Sequence, residues 1–229
     1  MDKLIALYTF AVTAGAYMWS LFLNKRYSSP FTNPVFVSTL LIIFVLVCSN
    51  IHYTEYQITK DVLAFFLGPA TVALAIPLYQ NREVLFRNII PSFAGLLAGS
   101  LVSIMVTVFL LKSLHLSSEI IRSMSLKTIT TPIAIEVASI IHGDGILTAI
   151  FVILTGMVGA MTGPWIMNKM KIYHPLSRGL AFGTQAHGIG TAQAAAEGEL
   201  QAAIAGVAMG LNGIFVSFLA PFVIPWLTK

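Results

Sequence analysis

The amino-acid sequence predicts an all-α polytopic membrane protein of seven or eight transmembrane segments, several of them discontinuous. Three observations carry this. Only 10% of the 229 residues are charged, against roughly 25% in soluble domains. Residues 4–24, 27–54, 62–81, 88–111, 145–168, 179–196 and 200–228 contain no Asp, Glu, Lys or Arg. About 20 mainly apolar residues cross a bilayer as a helix, so these runs have the right length. Finally, several runs are interrupted by Gly, Pro, Thr and His, as a solute pathway requires.

The first run, from Leu4, is long and has no small-residue cleavage site, so it reads as a retained helix and not a removed signal peptide. With the second run it forms a pair of N-terminal helices within residues 1–60. The remainder, 61–229, reads as a transport-like core, and the whole chain, 1–229, as a single membrane domain. Cys48 is the one cysteine, so no intramolecular disulfide forms. The net charge of +4 comes from Lys and Arg placed singly or in pairs between apolar runs. That is the pattern of membrane loops under the positive-inside bias and not of a nucleic-acid surface.

Beyond residue 60 two kinds of segment alternate. The smooth ones, 88–111, 145–168 and 200–228, each hold a small-xxx-small pair: Gly95/Gly99, Gly159/Gly163 and Gly206/Gly210. Such pairs allow close helix packing in lipid. The broken ones are 62–81, with Gly68-Pro69 and Pro77; 118–141, with Thr128, Thr130, Thr131 and Pro132; and 177–196, with His187, Gly188, Gly190 and Thr191. Broken backbone in a membrane persists only inside protein or against a water-filled cavity, and paired breaks point to a transporter binding site. The alternation is the pattern that repeated units would leave, although the units share only Thr-containing Pro breaks. If every broken segment crosses there are eight passes. If 118–141 enters and leaves by one face there are seven, and Lys25-Arg26, Arg82/Arg87 and Lys169–Arg178 then share the cytoplasmic side.

Glu136 is the acidic residue set between apolar runs; it is either a coupling group or a helix-end carboxylate near the interface. Thr128, Thr130, Thr131 and Pro132 read as the start of a half-helix, an ordinary N-cap or an anion site beside Lys127. The stretch GTQAHGIGTAQ, 183–193, is the most polar of the broken segments. Its His187 can donate, accept or carry a proton, and Gln185, Thr191 and Gln193 surround it. Thr71 and Asn212 complete the candidate substrate-binding set of Thr71, Thr130, Thr131, Gln185, His187, Gly188, Gly190, Thr191, Gln193 and Asn212. Glu136 and His187 are the coupling candidates, and Gly68, Pro69 and Pro132 the expected helix breaks. No second His, Cys or carboxylate stands at metal-ligand spacing. The GxGT run lacks the preceding strand and following Lys of a nucleotide loop. No HExxH or Gly-x-Ser-x-Gly is present, so an enzyme is not expected.

The runs LGPATVALAIPLYQ (67–80), SLKTITTPIAIEVA (125–138) and AHGIGTAQA (186–194) resemble the hallmark stretches of the LrgB/CidB family, in order and over essentially the whole chain. That family includes antiholin-like and holin-like bacterial proteins, YohK-type inner-membrane proteins and the plastid glycolate/glycerate translocator. The resemblance implies a multi-pass protein of the bacterial cytoplasmic membrane. It also implies one of two roles. One is a carrier of small monocarboxylates of the pyruvate, glycolate or glycerate class, coupled to protons or another ion. The other is a regulator of murein hydrolase export and autolysis that works beside a small holin-like protein of LrgA/CidA type. The expected partners are a small organic anion, that holin-like protein, the lipid bilayer and further copies of the chain as a homo-oligomer, with no cofactor and no nucleic acid.

Overall fold

In the computed structural model, which describes residues 2–27, 29–73, 75–80 and 82–228, regular structure is helical. The described helices divide into two compact units, Met1–Ala75 and Ile76–Lys229.

The first unit contains α1 (Asp2–Arg26), α2 (Pro34–Cys48) and α3 (Tyr53–Ala73). The Asn33 side chain starts α2 by accepting the Val35 and Phe36 N–H groups, ahead of Pro34, whose missing N–H costs nothing there. Hydroxyls join α1 to α3: the buried Thr9 and Thr59 lie 2.7 Å apart, and the half-buried Thr13 and Tyr56 meet at 3.1 Å. Gly68-Pro69 does not break the helix as expected, because α3 runs on through both residues to Ala73. Proline in a helix forfeits one backbone bond and clashes with the preceding turn. Here the helix absorbs that cost and does not end.

The second unit begins within the short helix α4 (Ala75–Gln80) and continues with α5 (Arg82–Arg87). It is then built on three long helices: α6 (Ile89–Ser113), α9 (Gly145–Lys169) and α11 (Glu199–Leu227). These three and the stretch Leu4–Arg26 are the described helices long and apolar enough to cross a membrane. The fold class is therefore all-α and polytopic.

Between the long helices lie two segments that turn back on themselves. In the first, α7 (Ser118–Ser125) leads through a turn to α8 (Thr131–Ile140). The chain has then returned to its starting level, because the Asp144 N–H donates to the Ser123 hydroxyl at 2.8 Å. In the second, α10 (Pro175–Glu197) is two helices joined at His187, whose φ of 41° and ψ of −130° are not helical. The descending half lies on the ascending one: a Cβ on Gly190 would sit 2.5 Å from the Phe182 carbonyl oxygen. At the open end Arg178 and Glu197 form an ion pair at 2.6 Å. A straight helix would hold residues so separated in sequence about 28 Å apart at 1.5 Å per residue. Residues 175–197 therefore fold back and do not run through.

The two hairpins enter from opposite ends of α11. Arg122, in the first, donates to the Thr228 hydroxyl just past the end of α11. The second precedes α11 directly, and a Cβ on Gly179 would strike the Gln201 carbonyl oxygen at 2.6 Å, near the start of that helix. Glycines on α9 admit the second hairpin. Added Cβ atoms at Gly156, Gly159 and Gly163 would meet His187, Ala186 and Phe182 at 2.7–2.8 Å. Gly95 on α6 faces Leu180 in the same way at 3.0 Å. In the third expected pair Gly210 has nothing within 4 Å, and α11 is approached by Gly179 and Gly183 of its neighbour. Around the first hairpin a buried apolar core gathers Ile104, Leu126, Ile129, Val152, Val216 and Ile224. This order of contacts brings the start of α6, the end of α9 and the start of α11 to one end of the unit, together with Arg87, Lys169, Lys171 and Arg178.

Candidate functional site

The tips of the two hairpins meet at Asn212, near the middle of α11 and fully buried. Its Nδ2 donates to the Thr128 carbonyl of the first hairpin at 3.0 Å and to the Thr184 carbonyl of the second at 2.9 Å. Its Oδ1 accepts from the Ser100 hydroxyl of α6 at 2.5 Å. The local reason is the break at His187. In an unbroken helix the Thr184 carbonyl takes the Gly188 N–H; the turn displaces that donor, and Asn212 supplies another. A buried carbonyl without a donor is costly, so one side chain stabilises both interruptions.

Around this point lie hydroxyls without partners. Three buried side-chain oxygens among the described residues make no hydrogen bond, and two of them are Thr128 Oγ1 and Thr184 Oγ1. Their residues are 1% and 3% exposed, so their donor and acceptor capacity is open beside the joined tips.

His187 forms the tip of the second hairpin. A positive φ in a residue with a Cβ is strained and occurs where surrounding structure holds it. Here the hold is a 3.0 Å bond between Nε2 and the Val152 carbonyl of α9, in space left by Gly156. A carbonyl only accepts, so Nε2 carries the proton. The Thr191 hydroxyl donates to the His187 carbonyl at 2.9 Å, closing the turn. Gln185 donates to the Gly99 carbonyl of α6 at 3.2 Å. Gly190 is the close-approach glycine, Gly188 is exposed and Gln193 is half-buried on the descending half.

Not every expected residue gathers here. Thr130 is the N-cap of α8, yet its hydroxyl makes no capping bond; Thr131 is half-buried at N1 and Pro132 follows it. Pro132 thus starts a helix after the break, which suits its fixed φ. Glu136 points outward on α8, exposed, opposite the buried Ala134, Val137 and Ala138. Thr71, with Gly68 and Pro69, belongs to the other unit, and the side chains of Thr71 and Gly68 lie outside the described residues. Sequence reasoning missed Ser100 and Thr184. Ser100 is a small hydroxyl in an apolar helix, bonded also to its own Leu96 carbonyl, and nothing local marks it; Thr184 lies inside the polar 183–193 stretch, where His187 and the glutamines drew the attention. Among the described residues no three of His, Cys, Asp and Glu come together as a metal site needs.

Two hairpins meeting on a long apolar helix define a multi-pass membrane protein with an internal polar point. The family follows from comparison. Residues 13–226 match the model of the LrgB-like family, and the chain belongs to that family. It is similar to the holin-like protein CidB of Staphylococcus aureus, with 30% identity over 97% of both chains. It is 33% identical to the antiholin-like protein LrgB of Bacillus subtilis, over 92% of this chain and 91% of that one. A third similar protein, YxaC of Bacillus subtilis, is 32% identical over 97% of this chain and 96% of its own. No solved structure matches.

Proposed function

We propose that this protein is a carrier of small monocarboxylates of the pyruvate, glycolate or glycerate class, coupled to protons or another ion, in the bacterial cytoplasmic membrane. The observation that carries the proposal is the junction at Asn212, where two broken segments from opposite ends share one buried amide and leave two hydroxyls unpartnered. A pore-forming or lesion-forming assembly has no use for such a junction; a carrier of a small hydroxy or oxo acid has. The whole chain acts as one membrane domain, with 61–229 as the transporting core. The basic end that gathers Arg87, Lys169, Lys171 and Arg178 faces the cytoplasm. Thr130, Thr131, Gln185, His187, Thr191, Gln193 and Asn212 form the binding region, and His187 or Glu136 couples the ion.

A second reading is supported by the names of the relatives, which are called holin-like and antiholin-like. In it the chain regulates a small LrgA/CidA-type membrane protein, and with it murein hydrolase export, without moving a solute. Counterflow of radiolabelled pyruvate or glycolate in proteoliposomes of this chain alone separates the two. Counterflow above empty vesicles, lost in Thr131→Val and His187→Ala, is expected of a carrier. Its absence with folded protein ends the carrier reading for those solutes.

A further inference from the structure

The turn of the first hairpin holds a cation that no carboxylate answers. Lys127 stands between α7 and α8, half-buried, one residue before Thr128. Its ammonium donates to the Thr107 hydroxyl of α6, which itself donates to the Ser103 carbonyl at 2.6 Å. Thr107 is 4% exposed and lies about 9 Å along α6 from its Ser113 end, at 1.5 Å per residue. The ion pairs among the described residues are Lys60–Asp61 and Arg178–Glu197, so none involves Lys127.

A lysine near a helix end ordinarily directs its charge outward to water. This one directs it sideways into a neighbouring helix. A charge at membrane depth is expensive and is normally paired or functional, and a single hydroxyl is a weak partner for an ammonium. Next to it in the chain, Thr128 presents a buried hydroxyl without a partner. The Thr184 hydroxyl is in the same state, and one Asn212 amide holds the backbone carbonyls of both threonines. The turn thus presents one positive charge and, on the next residue, a buried hydroxyl without a partner, a pair suited to a carboxylate with an adjacent oxygen.

We propose that Lys127 is the counter-charge for the carboxylate of the carried anion, which displaces the Thr107 hydroxyl from the ammonium. The Thr128 hydroxyl then receives the hydroxyl or keto oxygen on the neighbouring carbon. The assignment rests on the carrier reading above and makes it specific. One positive charge selects a 2-hydroxy or 2-oxo monoanion over its neutral amide and over a dianion.

The test is equilibrium binding to the purified full chain in detergent, with glycolate, glycolamide and oxalate as probes, run alongside counterflow. Wild type is expected to prefer glycolate to both. Lys127→Met loses glycolate affinity on the order of 100-fold, the scale of truncating a buried charge pair, and loses the preference over glycolamide. Lys127→Arg keeps the preference, and Thr107→Val, which removes only the resting partner, keeps it too. Lys127→Gln carries the comparison if the methionine variant unfolds. An unchanged glycolate-to-glycolamide ratio in the uncharged variants overturns the assignment, as does a wild type without preference. Lys127-dependent binding without counterflow supports the site and ends the carrier reading; counterflow with its selectivity intact in Lys127→Met does the reverse.

Discussion

Arg178 and Glu197 stand at the two ends of one 23-residue helical segment, and their side chains meet through two hydrogen bonds of 2.6 Å. Arg178 also donates to the Asn168 side chain and to the Ile172 carbonyl. The contact pins the mouth of the second hairpin and ties it to the end of α9.

Breaking that pair from one side leaves a charge largely out of water. Arg178→Gln and Glu197→Gln are each expected to cost about 3 kcal/mol, the scale for removing one partner of a buried pair. The exchanged double variant, R178E/E197R, recovers part of the loss. Unfolding of the detergent-solubilised chain measures both, and additive single and double losses would show that the two side chains act independently.

The fold-back makes a topological prediction. Replace the exposed Cys48 with Ala, then place single cysteines at Ser177 and Glu199, both exposed. An impermeant maleimide should label both from the same side of the membrane. Labelling from opposite sides would mean that residues 175–197 cross.

Glycine at 156 is required by geometry, since a Cβ there would come within 2.7 Å of the His187 ring. Gly156→Ala is expected to cost about 1–3 kcal/mol through overpacking and to reduce counterflow. Gly210→Ala, with nothing within 4 Å, is expected to be neutral or stabilising by about 0.5–1 kcal/mol, because alanine favours the helix interior. Equal losses in the two variants would contradict the packing described.

His187 combines a strained backbone with a useful ring. His187→Ala loses the Val152 bond and keeps the positive φ; His187→Gly loses the same bond and relieves the strain. The glycine variant is expected to be more stable than the alanine variant by about 1 kcal/mol, read from their thermal or denaturant midpoints. Equal midpoints would remove the argument for strain.

Asn212→Ala strips the donor from two buried carbonyls, while Ser100 keeps the Leu96 carbonyl as an acceptor at 2.7 Å. A loss of about 2 kcal/mol or more is expected, since each buried group left unpaired costs about 1–3 kcal/mol. Asn212→Asp, which offers oxygens where donors are needed, should do no better. A stable, fully active Asn212→Ala would show that the hairpin tips hold together without it.

Much of this was legible in the chain. Charge-free runs of helical length predict α1, α6, α9 and α11, because apolar side chains and internal backbone bonds are what lipid demands of any spanning segment. Pro132 and His187 marked real interruptions, since each departs from helix geometry for a local reason. The Gly159/Gly163 pair marked a real close approach, while Gly210, with nothing within 4 Å, shows how little such a glycine says without its partner helix. Gly68-Pro69 was misread for a related reason: proline weakens a helix locally, and whether the helix then ends depends on what surrounds it.

Composition and periodicity therefore determined by themselves that this is a helical membrane protein with interrupted segments and polar residues at the interruptions. Only the tertiary structure decided that both hairpins in the second unit fold back on themselves, that their tips share Asn212, and that Glu136 faces outward while Lys127 faces Thr107. The physical reason is range. Lipid acts on every residue of a segment and so writes its demand into the local sequence. Where a carbonyl freed by a break finds its donor depends on a side chain dozens of residues away, and no local pattern records that pairing.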